Sequence, residues 1–525
     1  DVIYATHTGG AIPINTASGL EATTTIGNGA AEDTKIVFDG NAQDFHIGLD
    51  DSADDLVIGV GSALGTTTAI SITDGRAVTI GATGTASTLA GIPFFSDTTN
   101  GSIYTHDVSG TDSTAEGNVA YGLLSLDAIT TGDYNTSIGS QALTANTTGH
   151  SNVALGQAAL LGNTEGFENV SLGKSSLLAN TTGDRNIAIG VRANDLADTE
   201  NHNLAIGHES MTAQVAGGEY NVAVGNYSLD ALTSGDENTV VGYNAGSGIT
   251  EGNYNVGMGS NALYAVTTGD ENTAVGYLAG SSITTANTNT LFGERAGPSI
   301  TTGYMNTFLG RRAGYTATTG NQNTGVGVYA LYSSVGASYY NTALGYAAGY
   351  AITTGDNLIC IGTDSGRTGS PGGNITTQNN YIMLGDENIT QCNIQVDWTV
   401  ASDERDKTNF TDLDVGLDFV NALKPYTYKW DKRSKYGDKS ADGYDLNAQT
   451  PDGTHKEDWL DIGFKAQEVE VLEKAAGYKI ADKTNLTTSL TDDGKQYGIK
   501  YNKFVPILVK AVQELSTKVK ALEDA

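Results

Sequence analysis

The sequence predicts a mainly β protein: an elongated β-solenoid or β-prism fibre of several identical chains, ending in a small α+β domain with a long helix. Three observations predict it. A 17-residue repeat fills the middle of the chain, glycine reaches 67 of 525 residues against 7 prolines, and the charge changes abruptly near residue 401. Glycine without an every-third-residue rule is not collagen, 2 cysteines are too few for a disulfide scaffold, and no run of about 18 apolar residues is present to cross a bilayer. The formal charge, 28 − 60 = −32, argues against gripping a nucleic-acid backbone, so neither nucleic acid nor membrane insertion is expected. The chain opens at Asp1 with no basic and apolar leader behind it, so the natural N-terminus is expected to be missing or processed.

The charge locates the main boundary. Residues 1–401 hold 9 Lys+Arg and 37 Asp+Glu, a balance of −28, with Lys35 and Lys174 as their only lysines. Residues 402–525 hold 19 and 23, a balance of −4, and glycine falls from 59 in the first block to 8 in the second. Two different kinds of protein are joined end to end. Four segments follow: an N-terminal β-rich segment (1–110), the repeat (111–362), a β-rich distal tip (363–401) and a C-terminal domain (402–525).

The repeat is marked by a pentapeptide that begins with Asn and ends with Gly, as in Asn135-Thr-Ser-Ile-Gly139, Asn152-Val-Ala-Leu-Gly156 and Asn341-Thr-Ala-Leu-Gly345. Its closing glycines run from Gly122 to Gly362 in fourteen intervals, twelve of 17 residues and two of 18, and Leu358 takes the asparagine position in the last copy. Short apolar and polar alternation bounded by Gly, Asp and Thr turns fits half-buried strands joined by corners, and the frequent glycines disfavour a helix. Stacked units make a parallel β-solenoid. Because the repeats are rich in Ala, Gly, Ser and Thr, a single chain is expected to bury little apolar area and to associate with copies of itself. Whether each chain winds alone or several share each layer is open at this point. Before the repeat, Thr34-Lys-Ile-Val-Phe38, Asp55-Leu-Val-Ile58 and Ala77-Val-Thr-Ile80 read as strands. The pentapeptide resembles the head repeats of trimeric autotransporter adhesins and repeats common in phage tail fibres, which implies a trimeric solenoid.

After the repeat, Tyr381-Ile-Met-Leu384 and Asn393-Ile-Gln-Val-Asp-Trp-Thr-Val400 read as strands, and Ser402-Asp-Glu-Arg-Asp-Lys407 follows. Ser402 and Lys407 form a candidate nucleophile and base, since a buried lysine neutralised by desolvation can take a serine proton. Taken alone, a Ser and a Lys five apart carry little weight, and a charged surface turn is the better explanation of the same residues. The rest of the block carries Leu417-Asp-Phe-Val-Asn-Ala-Leu-Lys-Pro-Tyr-Thr-Tyr-Lys-Trp430, Ile462-Gly-Phe-Lys-Ala-Gln-Glu-Val-Glu470, Tyr497-Gly-Ile-Lys-Tyr501 and Val505-Pro-Ile-Leu-Val-Lys-Ala-Val-Gln-Glu-Leu515. In this order these motifs resemble the endosialidase-type intramolecular chaperone, the self-cleaving C-terminal domain of phage tail spikes and fibres. Lys465 departs from the family, which more often has an apolar residue there.

The resemblance implies a homotrimeric folding clamp that sets three chains in register and then cuts between Ala401 and Ser402, with Ser402 as nucleophile and Lys407 as general base. Asp403 and Arg405 belong to the same motif and are assigned positioning roles. Partners implied are the chain itself, a host cell-surface receptor (a glycan or an outer-membrane component) and other virion tail proteins, with assembly in the host cytoplasm and final residence in the virion. Independently, Val505, Val512 and Val519 recur every seven residues, as do Leu508, Leu515 and Leu522, giving three a/d heptads for a trimerisation helix. An amphipathic helix packing on its own domain is the alternative.

Cleavage would expose the tip, whose Tyr381, Met383 and Trp398 are candidate receptor contacts. A tail spike with polysaccharide depolymerase activity and a bacterial trimeric surface adhesin are the competing functions. Asp133, Asp184, Asp236, Asp270 and Asp356 sit in the repeat turns, where bonding to their own turn accounts for them without calcium. No metal and no cofactor is assigned, and Cys360 and Cys392 are read as buried thiols.

Overall fold

The computed structural model describes eight strands between Thr34 and Tyr104, then residues 114–213, 217–395, 398–439 and 443–525. Thr34–Phe38, Phe45–Asp50, Asp55–Val60, Thr68–Ile72 and Val78–Ile80 form an antiparallel sheet in chain order. The three alternating runs of the sequence fall in it, while Phe45–Asp50 and Thr68–Ile72 were not singled out. Ser87–Leu89, Ile92–Asp97 and Ser102–Tyr104 then pair antiparallel, and Ile103 pairs in parallel with Val119 to enter the repeat.

From Val119–Tyr121 to Ile382–Leu384, sixteen three-residue strands form one parallel ladder, each paired with the next copy in the same chain. Every chain therefore winds its own solenoid, one strand per coil. At about 4.8 Å per coil the fifteen intervals span roughly 70 Å. The ladder passes residue 362 and closes at Leu384. Its last interval, Cys360 to Met383, is 23 residues long, six more than the usual 17.

A single chain does enclose a continuous core, running from Tyr104 to Met383, against the expectation of little buried area. The small residues are inside. At each strand centre one side chain points inward, and in several coils it trades volume with the corner four residues after the closing glycine. In the first four coils the centre is Ala or Ser and the corner is Leu, at Leu126, Leu143, Leu160 and Leu177, all 0% exposed. Where the centre is large the corner is glycine. A Cβ on Gly314 would lie 2.3 Å from the Phe308 ring. Phe308→Ala should therefore open a cavity worth about 3–5 kcal/mol. Since a coil touches only its neighbours, amide exchange should accelerate in the coils around 291–325 and stay unchanged near 150, whereas uniform acceleration would contradict this packing.

The pentapeptide asparagine is also interior. Asn238 donates its backbone N–H to Oδ1 of Asn221 (2.9 Å) and its Nδ2 to the carbonyl of Gly252 (2.8 Å), and the pattern repeats coil after coil. These amides are fully buried, so each must find its partners inside the protein. Leu358 ends the row by giving its N–H to Oδ1 of Asn341 at 3.0 Å. The turn aspartates work differently from the expectation. Asp133, Asp184, Asp236, Asp270 and Asp356 accept the backbone N–H 17 residues earlier, those of Glu116, Phe167, Glu219, Asn253 and Tyr339, at 2.8–2.9 Å. They tie coil to coil rather than closing their own turn.

Beyond the solenoid lies a small α+β region. Its core gathers Phe419, Val469, Phe504 and Ile507 from three helices, with Val415 just before the first: α1 (Leu417–Ala422), α2 (Ala466–Ala475) and α3 (Phe504–Glu523). Two short antiparallel pairs, Tyr426–Tyr428 with Asp461–Gly463 and Thr488–Leu490 with Tyr497–Ile499, complete it. Glu473 is buried on α2 and its carboxylate accepts the backbone N–H and hydroxyl groups of both Thr487 and Thr488, fixing the second pair against the helix.

Candidate functional site

The stretch between the two bodies carries the candidate dyad. No strand forms among the described residues of 393–400, contrary to the sequence reading. Asp403 then caps a 3₁₀ turn, Glu404–Asp406, by accepting the N–H of Arg405 (2.9 Å), and Arg405 returns Nη2 to Asp403 Oδ2 at 2.6 Å. This ion pair holds the Asp403 carboxyl below the usual aspartate range, chiefly through the side-chain bond from Arg405. The N–H of Lys407 closes the turn on the carbonyl of Glu404 at 3.0 Å. The turn thereby folds Lys407 back over Ser402, with Nζ 2.5 Å from Oγ and 3.2 Å from the Ser402 carbonyl oxygen.

Ser402, Lys407, Asp403, Arg405 and Ala401 thus come together. One premise fails: residues 401–410 are all exposed, so this chain by itself does not supply the burial from which the role of the lysine was reasoned. The surrounding apolar side chains Ile389, Ile394, Trp398, Val400 and Phe410 are likewise exposed.

The adjacent coil is the seat of the C-terminal region. The six extra residues of the last interval lie in the coil that meets it: Ser434 lies where a Cβ on Gly369 would reach, and Thr491 does the same at Gly373. Lys432 Nζ donates to the carbonyl of Glu387 at 2.7 Å, and Lys439 pairs with the buried Glu387 carboxylate. Burial pushes the Lys439 amine down in pKa, and Asp364 and Asp386 pull it back up. Tyr381 stands beside Asp492, and burial together with that carboxylate pushes its phenol up.

The geometry revises the tip. Trp398 is 75% exposed and Tyr381 43%, but Met383 is 3% exposed, because its register opposite Cys360 makes it the inward-pointing centre of the last strand. Cys360 is buried beside it, its thiol pushed up to about 12 by desolvation, whereas Cys392 is exposed. Lys465 needs no apolar pocket: it caps the start of α2 on the surface, 3.2 Å from Glu468 and over the ring of Tyr426.

Helix α3 presents two faces. Phe504, Ile507 and Ala511 are buried against the domain, and Glu514 accepts the N–H of Leu417 at 2.8 Å. The heptad residues Val505, Leu508, Val512, Leu515, Val519 and Leu522 are all exposed, from 45% to 79%, so packing on its own domain is the work of a different set. The inward spacing of Phe504, Ile507, Ala511 and Glu514 could have been read from the sequence and was not.

Residues 402–478 match the family model of the chaperone of endosialidase. The match begins at Ser402, the residue that Lys407 contacts. No curated protein and no solved structure matches the chain. The protein is therefore a long β-solenoid followed by a chaperone-of-endosialidase domain, with α3 lying beyond the matched residues.

Proposed function

We propose that the chain is a phage tail fibre, a homotrimeric receptor-binding adhesin of the virion assembled in the host cytoplasm, whose C-terminal domain sets the chains in register and then cuts itself away. The observation that carries this is the Ser402–Lys407 contact at the first residue of the family match, just past the end of the solenoid. In the cut, Ser402 Oγ adds to the carbonyl carbon of Ala401 while Lys407 Nζ, as the neutral amine, takes the hydroxyl proton. The Ala401–Ser402 C–N bond breaks with that proton passing to the amine of Ser402, and water hydrolyses the ester to free the Ala401 carboxylate and the Ser402 hydroxyl. Because the dyad is exposed in one chain, the desolvation that favours a neutral amine comes from neighbouring copies, which delays cutting until the chains have met.

The chaperone role follows from topology. Parallel strands paired coil on coil leave register to be chosen along a long rod, and a terminal nucleus removes that search. A chain ended after Ala401 at the level of the gene should stay monomeric or aggregate, whereas the same stalk made from the full chain stays assembled after cutting. Equal assembly of the two on a sizing column would remove the chaperone role. Receptor contact is assigned to the end uncovered by cutting, with Tyr381 and Trp398 and without the inward Met383. Grafting residues 363–401 onto an unrelated fibre should change its host range, and an unchanged range would argue against this assignment.

A further inference from the structure

The outer side of the ladder carries a surface that neither the core nor the dyad uses. In each three-residue strand the centre points inward and the two flanking residues point outward. The last residue is Tyr, Ile, Leu, Val, Met or Phe in all sixteen strands, and the first is Val, Ile, Leu or Thr in all sixteen. Eleven of the last residues are exposed, from 36% at Ile189 to 58% at Phe292, and Leu172, Ile206, Val224, Val275 and Val326 are half-buried. No charge enters either column, although the block they belong to carries a balance of −28. Charge returns one residue past the closing glycine, at Lys174, Glu294 and Arg311.

Parallel strands are normally covered on both faces. The stripe is about 70 Å long and about 10 Å wide, a footprint of roughly 700 Å², which approaches what each partner contributes to a stable interface.

We propose that this stripe is the face on which further copies of the same chain pack, side by side, parallel and with their coils in register. The inference rests on the fibre reading and names the surface through which the stalk assembles. Three features select a second copy as the occupant. Only another rod with the same coil spacing matches an apolar line of this length. The other faces are strongly acidic and repel one another, so copies meet where charge is missing. The exposed Val and Leu stripe of α3 lies at the C-terminal end of the same chain, and joining both stripes at once requires parallel chains. Val at a with Leu at d suits two strands when a helix acts alone, so the number of copies is carried by the family likeness and read from the mass.

The test uses the full chain with Cys392→Ser, so that the exposed native thiol does not interfere. Under mild oxidation, Ile189→Cys should give a linked two-chain band on a denaturing gel, and Tyr254→Cys, on a turn and 54% exposed, should give none. In parallel, Leu155→Lys with Ile189→Lys should lower the sedimenting mass at least twofold, while Tyr134→Lys with Tyr254→Lys leaves it unchanged. A multimeric wild type with no link at residue 189, or with a link as strong at residue 254, would overturn the stripe and leave the fibre reading standing. A monomeric wild type would overturn the fibre reading itself. The cysteine variant keeps the test decisive if the lysine pair fails to fold.

Discussion

On a denaturing gel, the unaltered chain should separate into pieces of 401 and 124 residues, and the Ser402→Ala chain should run as one species of 525. In the proposed cut the Ser402 hydroxyl is the nucleophile, so its removal should stop the reaction. Lys407→Ala should leave the nucleophile in place and slow the cut by about 10²–10⁴-fold, the range of a general base. Asp403→Asn should act more weakly, since it loosens the turn that returns Lys407 to Ser402 without touching either atom. A wild-type chain that stays whole would refute self-cleavage. A cut of unchanged rate in both Ser402→Ala and Lys407→Ala would assign it to another protease.

Gly190→Ala should split the stalk into two independently protected segments. Gly190 has φ 141°, and a Cβ there would lie 2.2 Å from the carbonyl oxygen of Gly207 in the next coil. Backbone cannot swing aside as a side chain does, so the spacing between coils must open. The left-handed conformation alone costs about 1–3 kcal/mol for alanine. Each ladder bond lost nearby, such as Gly207 N–H to Ile189 O at 2.8 Å, adds about 1 kcal/mol. Gly336→Ala separates the two causes, because Gly336 also has positive φ, at 70°, but open space where its Cβ would go. Limited proteolysis should find a new site near 187–207 in the first variant and little change in the second. Equal sensitivity would show that close approach between coils is not the source.

The regular part of the fold was legible because it is periodic. The 17-residue interval, the closing glycines and the short alternation specify a strand, a corner and a stack. Three things were hidden. The corners use left-handed backbone at ordinary residues, Gln141, Leu143 and Ser151 in one coil, which no residue preference announces because bonds to the adjacent coils compensate, such as Leu143 N–H to Ala159 O at 3.0 Å. The asparagine was read as part of a polar pattern, while its place in the core depends on a partner 17 residues away. The volume trade between Phe308 and Gly314 is likewise visible only once the coils are superposed. In the C-terminal domain the motifs marked the dyad, but local sequence cannot report how much of Lys407 remains in water.

The ladder also has a mechanical meaning. Its hydrogen bonds lie along the rod, so a pull between the two ends loads the coils in series and opens them one at a time from an end. Each coil of 17 residues that peels away turns about 4.8 Å of rod into nearly 60 Å of extended chain. A single stalk chain is therefore a stiff spacer at low load and a long reserve of slack at high load.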